Sequence, residues 1–148
     1  MLKHFILWAA LSASGLAFAS QTVAPPVEQV GAVAAHPFFR SADLPDWSAL
    51  TPQQAVADAE YAAQLALERI AAICRLSPEE ATIENTYLAV DDASDELQCV
   101  VMLSQHLLYA ADTPENRAAC EKVSDIMSDL TAAIYSNEKL WQLMIMLD

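Results

Sequence analysis

Glycine is almost absent from this 148-residue chain, with 2 glycines against 28 alanines. Because turn-rich sandwiches and barrels draw heavily on glycine, and alanine is the best helix former, this balance argues for packed helices. Positive charge is also scarce. The 7 basic residues face 20 acidic ones, for a net charge of −13, so phosphate backbones and anionic lipid head groups repel the chain. Nucleic-acid binding is excluded on that ground. Histidine is rare too: beyond the first twenty residues only His36 and His106 occur, and there is no HExxH or CxxC motif. Metal-assisted hydrolysis within this chain therefore has little to draw on. At about 150 residues per domain, the length allows one domain and not a large enzyme.

What is present begins with an address. Lys3 and His4 precede an apolar run from Phe5 to Phe18 that closes on the small-x-small pattern Ala17-Phe18-Ala19. This reads as a secretory signal peptide over residues 1–19, too short and too weakly flanked for a stable membrane anchor. The expected location is the periplasm or the medium. Residues 20–35 lack periodicity, carry Pro25, Pro26 and Gly31, and read as a flexible leader. An oxidising compartment favours disulfides, but the three cysteines, Cys74, Cys99 and Cys120, are odd in number. With Cys74 near the end of one helix and Cys99 in the middle of the next, the two are separated by about 20 Å along a bundle axis, beyond bridging range. Buried small apolar residues is one reading; an intermolecular bridge or a reactive thiol is the other.

The helical domain is expected over residues 36–148. His36-Pro37-Phe38-Phe39 and Leu44-Pro45-Asp46-Trp47 are irregular aromatic and proline segments suited to lying extended across a helical surface. Thr51, Pro52 and Gln54 form a capping-box start for a first helix ending near Leu76. Its expected apolar stripe is Val56, Ala59, Ala63, Leu67, Ile70 and Cys74, with Asp58, Glu60, Glu68 and Arg69 on other faces. A second helix runs from Thr82 to Ala111 with a seam of Tyr87, Val90, Leu97, Val101, Leu108 and Ala111. It is widened by Val100, Leu103 and Leu107, which suggests the central helix. Thr113-Pro114-Glu115 starts a third, with the seam Ala119, Val123, Ile126, Leu130 and Ile134. Ser136 or Asn137 then caps a short, nearly all-apolar last helix. The expected fold is all-α: an antiparallel bundle of three long helices plus a short C-terminal one, preceded by signal peptide and leader.

Two groups of side chains invite a partner. Trp141, Met144, Ile145 and Leu147 fall on several faces of the last helix and need burial on more than one side, as contacts to a partner or a missing domain. Asp91, Asp92, Asp95 and Glu96 set like charges four apart, at a cost of a few tenths of a kcal/mol per pair. They form either a solvated face or an acidic docking face for a basic surface. A calcium loop of the EF-hand kind would need a glycine at its sharp turn and alternating ligands, and neither is present. His106 lies about opposite Leu97, and Ser104 two residues away cannot face it as a nucleophile.

Taken in order, His36-Pro37-Phe38-Phe39, Leu44-Pro45-Asp46-Trp47, Leu50-Thr51-Pro52, Ile83-Glu84-Asn85-Thr86, Asp112-Thr113-Pro114-Glu115-Asn116-Arg117 and Asn137-Glu138-Lys139-Leu140-Trp141 resemble one family's amino-terminal helical region. It is that of the zinc oligopeptidases that include thimet oligopeptidase, oligopeptidase A and bacterial peptidyl-dipeptidase. The resemblance implies one wall of a deep channel that admits short peptides. It implies a zinc-bearing catalytic domain much later in a longer chain, so no catalytic residue and no metal ligand is carried onto this sequence. The acidic run departs from the family's mixed-charge helix. The expected function is a non-catalytic channel-wall segment of an exported, truncated or split protein, partnered by the missing catalytic domain or a second chain and without peptidase activity alone. The alternative is a stand-alone periplasmic helical module that binds peptides or proteins.

Overall fold

The computed structural model describes residues 36–39 and 45–147. The signal peptide and leader readings lie outside the described residues. Among the described residues five α-helices follow one another: α1 (Pro52–Ile73), α2 (Ala89–Asp92), α3 (Asp95–Ala110), α4 (Pro114–Tyr135) and α5 (Glu138–Ile145), with a π-helical turn at Glu84–Leu88 leading into α2. There is no strand among the described residues, and the protein is all-α. No helix there is long and apolar enough to cross a membrane.

Helix starts follow local chemistry. Thr51 and Thr113 hold extended backbone and accept hydrogen bonds from the amides of Gln54 and Asn116, each with proline inside the first turn. Asn137 does the same for Leu140. Only half of the capping box expected at Thr51 forms, because the Gln54 side chain reaches forward to Asp58 at 2.7 Å rather than back to the cap.

The long helices α1, α3 and α4 each touch the other two, and the most extensive contact joins α1 to α4. The second helix thus has the two neighbours its widened stripe implies, but so do the other two, and it is not singled out as central. The reason lies in α1, whose buried face is Ala55, Ala59, Ala62 and Ala66, none more than 1% exposed, continuing into Ile70 and Ile73. Side chains this small let a neighbouring helix approach closely along their whole length. The stripe is rotated from the expected one: Val56 and Ala63 are half-buried and Leu67 is 46% exposed. On α3 the core is carried by Leu97, Val100, Leu103 and Ser104, while Tyr87 and Ala111 of the expected seam are exposed. On α4 the seam is as read, with Ala119, Val123 and Leu130 buried and Ile126 and Ile134 packed against the core.

The expected helix from Thr82 to Ala111 is broken. Thr82 and Asn85 cap one another reciprocally, at 2.8 and 3.2 Å, but the backbone first runs π-helical and then leaves helical geometry at Ser94 (φ −104°, ψ 9°). Arg69, reaching across from α1, stabilises the break: its guanidinium donates to the Ala93 carbonyl at 3.2 Å and to both Glu96 carboxylate oxygens at 2.5 and 2.6 Å. A smaller apolar cluster of Ile70, Ile73, Ala93 and Leu140 then ties the end of α1, the break and α5 together.

Candidate functional site: a latch and a groove

Two constellations stand out. The first is built around Asp58, fully buried on α1, although the sequence pattern sets it off the apolar stripe. Its carboxylate accepts from the His36 Nδ1 at 2.8 Å, the Phe38 amide at 3.0 Å and the Gln54 side-chain amide at 2.7 Å. The imidazole packs beside Tyr61 (centroids 4.3 Å apart) and Phe39 (4.8 Å), the three rings roughly parallel. Phe38 and Phe39 are thereby sunk into the core, at 0% and 5% exposure. A carboxylate orienting an imidazole through Nδ1 supplies two of the three members of a hydrolytic triad, which further needs a nucleophile at the other ring nitrogen. Here the pair holds a chain segment. It is a latch fastening residues 36–39 to α1, and no buried side-chain polar atom among the described residues is left unpaired.

The second is a groove of about 420 Å³ between the broken second helix, the C-terminal half of α4, and α5. Val90 and Asp91 line it from before the break, Ser94 and Gln98 from after it. Met127, Thr131, Ile134 and Tyr135 come from α4; Leu140, Trp141 and Met144 from α5; Tyr87 closes one end. Its aromatic wall is fixed by backbone acceptors: the Trp141 indole nitrogen donates to the Tyr135 carbonyl at 2.9 Å, and the Tyr87 hydroxyl to the Met144 carbonyl at 3.2 Å. A site this size, more apolar than polar in its lining, suits a small ligand or a peptide side chain or two.

The residues singled out from the sequence divide between this groove and the surface. Trp141 and Met144 line it, while Ile145 is exposed and Leu147 half-buried at the end of the described chain. The acidic run divides as well. Glu96 pairs with Arg69, and its hydrogen bonds hold the Arg69 guanidinium above its ordinary value against desolvation, with the charges of Glu96, Asp95 and Asp92 adding to the rise. Burial pushes the Glu96 carboxyl up, but the Arg69 hydrogen bonds, a backbone hydrogen bond and the Arg69 charge together hold it below the usual range. Asp91 is left at the groove, exposed, with no partner among the described residues. Cys74, Cys99 and Cys120 are half-buried, and the Cys74 thiol donates to the Asn137 side-chain oxygen at 3.6 Å. His106 is exposed on α3. No group of three or more potential metal ligands occurs among the described residues.

Sequence reasoning missed Asp58 and His36 as partners, and Tyr87 and Tyr135 as groove walls. The available signal was Asp58 itself, three and four residues from Ala55 and Ala62 on one helical face. Together the features define an all-α protein with a latched amino-terminal segment and an apolar groove carrying one unpaired carboxylate. Comparison of the chain with family models, curated proteins and solved structures returns no match.

Proposed function

We propose that the chain is the non-catalytic channel-wall segment of an exported zinc-oligopeptidase-like protein, handling short peptides only when a catalytic domain completes it. The observation that carries the reading is an uncovered apolar face. Ile83 and Leu88, flanking and within the π-helical turn, are 56% and 53% exposed; Ile145 and Met146, at the end of α5, are 68% and 55% exposed. α5 packs against that turn, so the four side chains sit on two neighbouring elements. Apolar side chains left in solvent on adjoining elements suit a protein–protein contact. The latched His36-Pro37-Phe38-Phe39 segment and the Thr-Pro and Asn caps support the reading further, since they give structural work to the residues that carry the resemblance. Zinc belongs, in this reading, to the missing domain.

The test uses the purified protein. It should bind a hydrophobic dye and self-associate in sedimentation, cleave no quenched fluorescent peptide with or without zinc, and lose dye binding and association in the double variant Leu88→Glu/Ile145→Glu while keeping its helical circular dichroism. A dye-negative, sharply melting monomer refutes the wall reading. The alternative, a stand-alone periplasmic peptide- or protein-binding module, draws on the groove, whose aromatic wall is already in position.

A further inference from the structure

We infer that the groove is a docking site for a basic segment of a partner protein: a lysine or arginine side chain lies along Trp141 and Tyr135 with its charge at Asp91, and a neighbouring apolar residue rests on Leu140 and Met144. This goes beyond the channel-wall reading and does not depend on it, because the surface invoked there is formed by Ile83, Leu88, Ile145 and Met146.

The chemistry selects the occupant. Apolar floor and ring surface ask for hydrocarbon, and the indole nitrogen of Trp141 and the hydroxyl of Tyr87 are already bonded to backbone carbonyls, so those two donors are engaged within the protein. Aromatic faces attract cations. No lysine or arginine lines the groove, whereas Asp91 does, without a partner. The rest of the acidic run is gathered around Arg69, which leaves Asp91 as the carboxylate with no internal counter-charge in that run. A neutral occupant would cover Asp91 and desolvate it without compensation. An acidic one, or a second copy of this chain at a net charge of −13, is repelled, while a basic segment is drawn in by the same field.

The experiment titrates the purified protein with three blocked tetrapeptides, Leu-Arg-Leu-Leu, Leu-Gln-Leu-Leu and Leu-Glu-Leu-Leu. Affinity is read by calorimetry and location by the indole resonance of Trp141. The arginine peptide should bind about five- to twentyfold tighter than the glutamine peptide at low salt, the sum of one exposed ion pair and one cation–π contact. The glutamate peptide should be weakest, and the preference should shrink in molar salt. Asp91→Asn should cut the preference to the few-fold share of the cation–π contact while the glutamine peptide, relieved of covering a carboxylate, binds no more weakly, and Asp95→Asn, beside Arg69, should leave the preference intact. Trp141→Leu should weaken all three. Equal affinities for the arginine and glutamine peptides, a preference undiminished by Asp91→Asn, a Trp141 resonance unmoved by binding, or no binding at millimolar peptide overturns the inference.

Discussion

Removing the Asp58 carboxylate tests the latch directly. Asp58→Ala takes the acceptor away from three donors at once: His36 Nδ1, the Phe38 amide and the Gln54 side chain. His36 and Gln54 are half-buried and regain water, so they contribute little to the loss. The Phe38 amide does not, because its residue is fully buried. An orphaned buried donor costs about 1–3 kcal/mol, and the lost hydrogen bonds to a charged acceptor add to it. The total has a ceiling. Once it exceeds what docking contributes, the segment leaves α1 altogether and gives up Phe38 and Phe39, about 1.5–3 kcal/mol each. The expected loss is therefore about 2–4 kcal/mol, seen as a fall of about 1–2 M in the urea midpoint followed by circular dichroism. Hydrogen exchange should show the Phe38 amide unprotected while the α4 amides keep their relative order. Asp58→Asn should cost less, about 1 kcal/mol, since the amide keeps one acceptor and the Gln54 amide can turn to match it. A loss below about 0.5 kcal/mol for Asp58→Ala, the range of an ordinary surface change, would refute the reasoning, as would unchanged protection of Phe38.

Two further outcomes follow from the same contacts. Glu96 is held below its ordinary value in the folded protein, so the stability it gains from Arg69 is complete above the usual glutamate range, near pH 4.3, and is lost as pH falls through the lower folded value. Arg69→Met should remove about 1 kcal/mol at pH 7, a figure kept small because the arginine is 42% exposed, and should flatten urea midpoints measured from pH 5 downward; an acid limb unchanged in the variant would count against the pair. Asn137→Ala should cost about 1 kcal/mol by uncapping α5, and should speed alkylation of Cys74 by iodoacetamide, because the same side-chain oxygen accepts from that thiol; equal alkylation rates would sever the link.

Elements whose causes are local were legible in the sequence. The starts of α1, α4 and α5 depend on a cap and its next three residues, and the α4 seam on large apolar side chains at helical spacing. Elements settled by distant partners were not. The break at Ser94 depends on Arg69, which lies 24 residues before the carbonyl it caps and 27 before the carboxylate it pairs. The α1 stripe was misplaced because alanine suits both core and surface, so weight fell on Val56 and Leu67. Asp58 falls off the expected stripe, although its donors are present in His36, Phe38 and Gln54. The two groups of candidate partner residues were found as types, but the groove was not, since it exists only where the broken helix, α4 and α5 meet.

The alanine seam on α1 has a consequence for how the protein tolerates change. Ala55, Ala59, Ala62 and Ala66 act as spacers, one methyl thick, between α1 and the helices it faces. Glycine at these positions removes a methyl and costs about 1 kcal/mol in helix propensity; every larger side chain must push two helices apart. Acceptance there should track side-chain volume and be nearly indifferent to hydrophobicity, with serine surviving where leucine does not. What reads as compositional monotony in a list of 28 alanines is, at four of them, a gauge for the distance between helices.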